Sequence, residues 1–233
     1  MHRASGALIV FARRSDGQPV VALVRQRTTY AFRDFMFVRY SSPAEAADLV
    51  RGMTPAEISV LLINDYYAAL AYLCAESRGR AWERRVALKI QRAERQFGAV
   101  LHTPEVRAAL RTPGGGAAPL FTVPRGRLKR EETALHAAQR EWTEETGGGA
   151  VPYTVVPCFR DDSLTVRGTT YTTQYYCAVA DYAAPIGVNN LKQLCEIAES
   201  AWVPMSALHC ADLRQTKIIR SFYSWVKNRR LLA

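Results

Sequence analysis

Three glutamates near the middle of the chain have the residue type and the spacing that a metal site requires. Glu141, Glu144 and Glu145 stand at positions i, i+3 and i+4, so a helix would carry their carboxylates on one face. Like charges this close repel one another, and the repulsion costs stability unless cations bind between them. Because hard oxygen ligands favour Mg²⁺ or Mn²⁺, the spacing predicts a site for one of these ions.

The residues around this acidic face predict a helix between two loops. The helix is expected over residues 132–145, where Arg140 stands four residues before Glu144 and can orient it. A side for packing on a sheet is supplied by Ala134, Leu135 and Ala138. The alternative is a solvated helix with i,i+4 ion pairs, which explains Arg140 and Glu144 but not the glycines at both ends, Gly126 and Gly147.

Residues 126–148 resemble the Nudix box, G-x5-E-x7-R-E-U-x-E-E-x-G-U, at every letter that specifies one amino acid. The resemblance implies an α/β fold, the Nudix α/β/α sandwich around a mixed sheet, with the box as loop–helix–loop. It also implies a set of ligands for Mg²⁺ or Mn²⁺, namely Glu141, Glu144, Glu145 and the carbonyl of Gly126.

The same resemblance gives Glu132 and Arg140 a supporting role, in which they brace the loop against the helix. Two positions depart from the pattern. Trp142 is bulkier than the usual aliphatic residue, and Gly148 stands where an apolar side chain is expected. Both departures concern local packing and leave the acidic residues intact.

Hydrolysis of a diphosphate linkage is the activity that the resemblance implies. Bound metals would neutralise phosphate charge and lower the pKa of a water that attacks phosphorus, and a carboxylate would serve as general base. Residues 195–204 resemble the later Nudix segment that ends in Trp-Val-Pro. Glu196 is therefore the candidate for an assisting catalytic carboxylate and Glu199 the second choice, while a surface glutamate is the alternative for both.

The strands that would position this helix come from two separate pieces of sequence. Apolar runs at 5–12 and 19–25 flank the turn residues 15–18, which predicts a hairpin. A third stretch, Phe35–Val38, has the alternation of a strand. The remaining strands are predicted at 119–123, 153–159, 169–179 and 201–203, before a helical tail at 212–229.

Residues 43–111 show helical spacing instead. Thr54–Glu57 has a capping threonine, a first-turn proline and a glutamate three residues after the cap, all typical of a helix start. The glycines at 114–116 are interpreted as a linker. The sequence therefore predicts a first core piece at 1–40, an all-helical insertion at 41–112 that binds RNA, and the rest of the core at 113–233.

Positive charge favours a polyanionic partner. The chain has 31 Lys and Arg against 21 Asp and Glu, a formal charge of +10, which suits nucleic acid or a polyphosphate small molecule. In the insertion, a basic helix face supplies the candidates for contact with an RNA backbone: Arg84, Arg85, Lys89, Arg92 and Arg95. A basic face that only keeps the protein soluble is the alternative.

Aromatic residues offer a way to hold a methylated guanine, because a cationic base stacks well on an aromatic ring. The candidates for such cap binding are Tyr30, Phe32 and Tyr171. Phe35 and Phe37 are expected to be core residues instead.

Further segments narrow the resemblance. The motif Pro124–Gly126, with Arg125 where glycine is commoner, resembles the decapping, diphosphoinositol-polyphosphate and dinucleoside-polyphosphate branches of the family. The runs 25–35 and 40–41, the helix start at Met53 and the helical insertion look like the Nudix enzymes of large nucleocytoplasmic DNA viruses, of the African swine fever virus type, with poxvirus decapping enzymes more distant. This likeness implies mRNA decapping, with capped RNA as the partner. Two alternatives stay open: hydrolysis of diphosphoinositol or dinucleoside polyphosphates, and a catalytically idle Nudix scaffold that binds RNA.

The cysteines and the apolar runs bear on the cellular compartment. Five cysteines, with no CxxC pair, favour buried thiols in a reducing interior over disulfides. No apolar run approaches the length needed to span a bilayer. The expectation is a cytoplasmic protein, in the host cytoplasm if viral, with no membrane partner and no disulfide-linked partner.

Overall fold

The computed structural model describes residues 2–74, 80–112, 116, 119–147, 151–166, 168–187 and 196–232, with positions 74, 80–89 and 166 described by their backbone alone. The chain divides into two compact units. The core unit comprises Met1–Arg25, Leu120–Gln193 and Ile197–Ala233, and the insertion unit comprises Gln26–Pro119 and Leu194–Glu196. Within the described ranges, no helix is long and apolar enough to cross a membrane.

A mixed sheet is the centre of the core unit. Its described strands are β1 (His2–Arg13), β2 (Pro19–Gln26), β3 (Phe121–Thr122), β4 (Arg125–Arg127), β5 (Tyr153–Val166), β6 (Thr169–Ala180) and β7 (Ile197–Pro204). The order is β3-β2-β1-β6-β5, with β4 also paired to β1 and β7 to β2. Strand β1 runs parallel to β6 and antiparallel to β2 and β4.

Each face of this sheet is covered by a helix, because side chains of β1 alternate between two apolar clusters. Leu8 and Val10 pack with helix α7 (Ala134–Thr146) through Ala138 and Trp142. On the other face, Ala7, Ile9 and Phe11 pack with the last helix (Leu213–Asn228) through Ile218 and Phe222. This arrangement confirms the predicted α/β/α sandwich with a mixed sheet.

The first turn of α7 lies directly against β1 at Gly6. A Cβ atom at Gly6 would lie 1.9 Å from the carbonyl oxygen of Ala134, which is far inside van der Waals contact. Only glycine lets the backbone of the helix approach the strand this closely. Glycine at position 6 therefore allows the acidic helix to pack this closely on the sheet.

The described part of the insertion unit is helical. Its helices are α1 (Tyr30–Met36), α2 (Pro43–Arg51), α3 (Pro55–Leu62), α4 (Tyr66–Cys74), α5 (Arg80–Leu101) and α6 (Pro104–Arg111). They share an apolar cluster to which every one of the six contributes. The predicted helix start at Thr54 is confirmed, because Thr54 and Glu57 form a reciprocal capping box.

Two predictions about the first segment of the insertion are wrong. Phe35 lies in helix α1 and not in a strand, because the Thr29 hydroxyl caps a helix by accepting from the backbone N–H of Phe32. Phe35 is nevertheless buried, and Phe37 packs on the same helical cluster. Since α1 belongs to the helices, the insertion unit begins at Gln26, well before the predicted residue 41.

The second boundary also lies elsewhere than predicted. The insertion unit continues to Pro119, past the predicted end at residue 112. Positions 114 and 115 of the expected glycine linker lie outside the described residues. Gly116 packs against the α2–α3 turn, since a Cβ there would lie 1.9 Å from the Met53 carbonyl oxygen.

We number the last helix, Leu213–Asn228, α8. A short 3₁₀ helix, Met205–Cys210, precedes it and follows β7. Three cysteines of the core, Cys158, Cys177 and Cys210, carry free thiols. The Cys74 side chain and Cys195 lie outside the described part of the chain.

Candidate active site

Helix α7 is capped at its N-terminus by a threonine side chain and ends at a glycine. The Thr133 hydroxyl accepts from the backbone N–H of His136 at 3.2 Å and so satisfies the first turn. At the other end Gly147 has a φ of 59°, the left-handed conformation that glycine adopts without strain. The helix therefore begins at Ala134, two residues later than the sequence predicted, and Glu132 lies in the preceding loop.

The apolar side of α7 fixes the direction of its acidic side. Trp142 is fully buried, with its ring centroid 6.0 Å from that of Tyr153 and 6.2 Å from that of Trp202. The Trp202 indole donates to the Ala184 carbonyl at 2.6 Å, so this polar atom is also satisfied. The bulky residue in the motif thus fills an aromatic cluster. Gly148, the other departure from the pattern, lies outside the described residues.

Arg140 is the centre of the ionic contacts on the acidic side. Its Nε and Nη2 atoms donate to the two carboxylate oxygens of Glu132 at 2.8 and 3.1 Å, and Nη2 also donates to the Arg127 carbonyl at 3.1 Å. Its Nη1 atom donates to Glu141 and lies 3.6 Å from a carboxylate oxygen of Glu144. Glu132 and Arg140, the predicted bracing pair, are therefore in direct two-point contact.

Electrostatics keep both partners of that pair charged. The hydrogen bond from Arg140, together with one from the backbone N–H of Lys129 at 2.8 Å, lowers the pKa of Glu132 to about 2. The same hydrogen bond is the main cause that raises the pKa of Arg140. The loop is consequently tied to the helix at every physiological pH.

The three glutamates of the predicted ligand set differ in exposure. The Glu144 side chain is 34% exposed and the Glu141 side chain 14% exposed. Glu145 is buried, and its carboxylate accepts from the backbone N–H of Arg125 at 3.3 Å. Its backbone carbonyl accepts from the Ser200 hydroxyl of β7 at 2.8 Å. Glu144 is therefore the member of the set that is most open to solvent.

Gly126 gives the loop backbone access to this cluster. A Cβ atom at Gly126 would lie 1.7 Å from Oε1 of Glu141 and 2.0 Å from its carboxyl carbon. Only a glycine allows the loop backbone to lie against the carboxylate, which is also where the sequence predicted a ligating carbonyl.

The residue types here fit a hard divalent cation, because three glutamates of one helix and the glycine backbone that lies against Glu141 offer only oxygen atoms as ligands. Among the described side chains, no three acidic, histidine or cysteine groups converge as they would around a cation. Arg140 instead supplies positive charge to Glu141 and Glu144.

Arg125 and Tyr175 form a contact beside the acidic cluster that sequence reasoning missed. Burial raises the pKa of the Tyr175 hydroxyl, and the hydrogen bond that this hydroxyl shares with the Arg125 side chain opposes the shift. Because the Arg125 backbone N–H donates to Glu145, Arg125 connects the buried glutamate to β6. The motif Pro124–Gly126 marked this arginine as unusual, but nothing in the sequence paired it with Tyr175.

Glu196, the predicted assisting carboxylate, belongs to the insertion unit. Its backbone carbonyl accepts from the N–H of Arg27 at 2.8 Å, and its carboxylate lies 3.4 Å from the guanidinium of Arg33. Glu199, the second choice, belongs to the core and pairs with Arg25 at 2.5 Å. A catalytic role for Glu196 stays a prediction.

The aromatic candidates for cap binding have different environments. Phe32 is fully buried and packs edge-on against Tyr72, so the prediction that it stacks on a cap is wrong. Tyr30 is 54% exposed in the insertion unit. Tyr171 is 38% exposed in the core, with the Arg3 guanidinium 5.8 Å from its ring centroid.

The predicted basic face of the insertion is described in part. Arg92 and Arg95 are exposed on α5. The side chains of Arg84, Arg85 and Lys89 lie outside the described part of the chain. Their contribution to a continuous basic surface therefore stays a prediction.

Helix α8 carries a second basic surface, which sequence reasoning missed. Besides Arg214, which pairs with Asp162 at 2.7 Å, its exposed cations, with those that directly follow it, are Lys217, Arg220, Lys227, Arg229 and Arg230. Residues 213–232 contain no Asp or Glu at all. That imbalance is visible in the sequence, but only the burial of Ile218 and Phe222 shows which positions face solvent.

The chain is similar to known proteins in sequence and in fold. The chain is 23% identical over 219 residues to the mRNA-decapping protein g5R of African swine fever virus isolate Pig/Kenya/KEN-50/1950, a match that covers 88% of each chain. The same protein from isolate Warthog/Namibia/Wart80/1980 is 24% identical over 226 residues, 91% of each chain. A structure of a C. elegans Ap4A hydrolase binary complex shares the fold, with a TM-score of 0.50 at 12% identity over 97% of this chain and 98% of that one.

The sequence-family model of the NUDIX domain matches residues 84–226 of this chain, and this range includes every residue of the acidic cluster. Because this match spans more than half of the chain, the protein belongs to the Nudix family.

Proposed function

We propose that this Nudix protein is a metal-dependent hydrolase that removes the 5′ cap of mRNA, converting m7GpppRNA to m7GDP and RNA with a 5′-monophosphate. The observation that carries the proposal is the similarity to the viral mRNA-decapping proteins, which extends over 88–91% of both chains. A match of that length runs beyond the core and into the insertion unit. We infer from this reaction that the protein acts in the cytoplasm, that of the host if the protein is viral.

The acidic side of α7 is the proposed catalytic centre. Glu141, Glu144 and Glu145, with the carbonyl of Gly126, would hold Mg²⁺ or Mn²⁺. When bound, the cations supply neutralisation of phosphate charge and activation of a water molecule. One water is consumed and one phosphoanhydride bond is broken, so that one phosphate remains on the RNA and two leave with the methylated guanosine.

The other residues of the site hold this centre in place. The two hydrogen bonds between Arg140 and Glu132 fix the loop that carries Gly126 relative to α7. Arg125 fixes Glu145 from the sheet side. A carboxylate, either one of the ligands or one outside the ligand set, would accept a proton from the attacking water, with Glu196 the candidate for an assisting carboxylate and Glu199 the second choice. Rigid support of this kind is what keeps charged groups in position where substrate charge develops.

Two basic surfaces would hold the RNA. One is the face of α5 with Arg84, Arg85, Lys89, Arg92 and Arg95. The other is the face of α8 with Lys217, Arg220, Lys227, Arg229 and Arg230. Exposed cations that outnumber the nearby acids attract a phosphate backbone and release its counterions. Tyr30 and Tyr171 are the exposed rings proposed to stack on the cap.

The experiment that tests the proposal compares substrates on one preparation of the full chain. Cap-labelled RNA, free cap analogue, a diphosphoinositol polyphosphate and diadenosine tetraphosphate are each incubated with Mg²⁺ or Mn²⁺, and kcat/KM is measured. Decapping requires capped RNA to be the best substrate by at least about tenfold, a difference of about 1.4 kcal/mol in transition-state stabilisation.

The other outcomes identify the rival functions. A higher kcat/KM on the inositol or dinucleoside compound would make the protein a small-molecule pyrophosphatase with the same catalytic glutamates. Binding of RNA without turnover of any substrate would make it an RNA-binding scaffold. The retention of three mutually repelling glutamates favours an enzyme, because a protein that only binds RNA has no use for them.

A further inference from the structure

The insertion unit contains a groove that the proposed decapping reaction does not use. It lies between the end of α3, the end of α5 and helix α6, and its volume is about 260 Å³. The apolar side chains that line it are Leu61, Leu62, Leu101 and Leu110. The polar ones are Asn64, His102, Arg107 and Arg111.

One end of the groove exposes large aliphatic side chains to solvent. Leu62 is 61% exposed and the neighbouring Ile63 is 63% exposed. Asn64 follows with a φ of 55°, the left-handed conformation that asparagine tolerates better than most residues. The chain therefore turns sharply after α3 and presents two adjacent aliphatic residues at the surface. Contiguous exposed apolar residues of this kind commonly mark an interaction site.

The lining of the groove favours a protein segment over a stacked nucleobase. Sites for single-stranded RNA commonly hold the bases on aromatic rings, and none of the described residues that line this groove is aromatic apart from the imidazole of His102. Four of them are leucines. Leucine side chains suit the aliphatic or aromatic anchors of a protein segment.

The charge of the rim defines the partner further. Arg107 and Arg111 stand one turn apart on α6 and are both exposed, and His102 lies beside them. The described residues that line the groove include no Asp or Glu. An acidic segment would complement these cations, while a second copy of this chain, with its formal charge of +10, would be repelled.

We propose that this groove is a docking site for an amphipathic helix of another protein, with two or three leucine-type anchors flanked by Asp or Glu. Helices that dock in grooves place such anchors at i, i+3, i+4 or i+7. Carboxylates spaced by one turn would meet Arg107 and Arg111, and the anchors would cover Leu62. The inference does not depend on which substrate the Nudix site cleaves.

The test uses a fluorescein-labelled helical peptide of about 18 residues, long enough for five turns. Leucines form one face, glutamates flank it, and a photo-crosslinking analogue replaces one leucine. Binding to the full chain is measured by fluorescence anisotropy. Two control peptides carry lysine in place of glutamate, or serine in place of leucine. The protein variants are Leu62→Asp and the double variant Arg107→Glu/Arg111→Glu, with Arg51→Glu as an exposed control in the same unit.

The proposal predicts that the acidic peptide binds at least about tenfold more tightly than either control peptide. Both groove variants should weaken binding by at least about tenfold, a difference of about 1.4 kcal/mol. Arg51→Glu should change it less than about twofold, and crosslinks should fall within residues 58–70 or 99–112.

Three results would overturn the proposal. One is a peptide affinity that Leu62→Asp leaves unchanged. Another is a loss of RNA affinity, without a loss of peptide affinity, in the double arginine variant, because the groove would then belong to the RNA surface. The third is a sedimenting dimer that Leu62→Asp dissociates in the absence of peptide, because the occupant would then be a second copy. Decapping of a short capped RNA should be unchanged in every groove variant, which separates this test from that of the catalytic function.

Discussion

Both units of the protein contain shielded glutamates, but the groups that donate hydrogen bonds to their carboxylates differ. In the insertion unit, Glu57 is 1% exposed and accepts from the N–H and the hydroxyl of Thr29 at 2.6 and 2.9 Å, and from the N–H of Thr54 at 2.8 Å. All three donors are uncharged. In the core, Glu141 and Glu144 share the guanidinium of Arg140, and the Glu144 side chain remains 34% exposed.

The difference separates a structural carboxylate from a set that can receive cations. The neutral donors around Glu57 belong to the N-terminal caps of α1 and α3, so the glutamate ties two helix starts together. The core glutamates lie on one helix face and repel one another. A single guanidinium, that of Arg140, contacts two of them, Glu141 and Glu144. A carboxylate set of that kind gains from divalent cations, whereas Glu57 is already satisfied.

Replacement of the core glutamates should give the largest effect on activity. Glu144→Gln or Glu145→Gln keeps the side-chain size but removes a negative charge, so turnover should fall by at least about 100-fold, comparable to the loss of one electrostatic stabiliser. Chelation by EDTA should abolish activity. Rates are measured on cap-labelled RNA and on a small diphosphate, and the thermal unfolding of each variant is checked in parallel.

The matched control is Glu131→Gln, a change in the same loop at a side chain that is 84% exposed. It should retain nearly the full rate. Near-normal turnover of Glu144→Gln and Glu145→Gln on every substrate would remove these two residues from the catalytic centre.

Replacement of Glu57 should lower the stability of the protein and leave its catalytic rate unchanged, the opposite of the effect expected for the core glutamates. Glu57→Gln presents an amide N–H group to three donors that need acceptors. The free energy of unfolding should therefore fall by about 2–4 kcal/mol, as expected when hydrogen bonds to a buried charged group are lost. Urea denaturation measures this change, and the rate per folded molecule on a small diphosphate should stay the same. Glu45→Gln is the control, because Glu45 accepts two hydrogen bonds from Ser41 at a more exposed position. Equal losses for the two variants would contradict the structural role of Glu57.

The two basic helices can be separated by salt dependence. One quadruple alanine variant changes Arg84, Arg85, Arg92 and Arg95, and the other changes Lys217, Arg220, Lys227 and Arg230. Each lost phosphate contact should reduce the slope of log affinity against log salt by about 0.7–0.9. Affinity for a long RNA is measured between low and moderate salt for both variants and for the parent.

Because each quadruple variant changes only exposed cations or predicted helix-surface positions, folding should be preserved and the rate on a small diphosphate unchanged. If the α5 variant leaves the slope of log RNA affinity against log salt unchanged, α8 is the only one of the two helices that contacts the RNA. If the slope is unchanged in both variants, the basic surfaces only keep the protein soluble, and RNA is then not supported as the substrate.

The smallest expected effect concerns pH. The pKa of Glu132 is lowered to about 2 in the folded protein by Arg140, against about 4.3 in an unfolded chain. Its contribution to stability is therefore fully present above about pH 4.3 and is lost as pH falls through about 2. The difference in urea midpoint between the parent and Glu132→Gln should shrink as pH is lowered from 5 toward 2. A difference that is constant over this window would contradict the ion pair.

A motif of fixed residue types was enough to predict a contact between two side chains. The periodic spacing of apolar residues was enough to predict burial, but not the type of secondary structure. The resemblance to the Nudix box implied that Glu132 and Arg140 brace the loop against the helix, and the two are in two-point contact. The alternation of Phe35 and Phe37 indicated burial, but it suggested a strand because a segment this short fits both periods. The cap at Thr29 decides for a helix, and its partner Glu57 is 28 residues away in sequence. Local patterns do not contain such a distant contact.

The same reason explains the other differences at the site. Trp142 was recognised as oversized, but its partners Tyr153 and Trp202 come from two later strands. Arg125 was noticed as unusual, but its hydrogen bond to Tyr175 joins the loop to β6. Phe32 was expected to be accessible, and the helix that buries it was not predicted.

The products formed from cap-labelled RNA test the central claim most directly. RNA with a ³²P label in the cap phosphates is incubated with the parent, Glu144→Gln and Glu131→Gln in the presence of Mg²⁺ or Mn²⁺, and the released nucleotide is identified by chromatography. The account predicts m7GDP from the parent and from Glu131→Gln, together with RNA that has a 5′-monophosphate, and at least about 100-fold less from Glu144→Gln. Release of m7GMP, or no release from the parent while a small polyphosphate is cleaved rapidly, would contradict it.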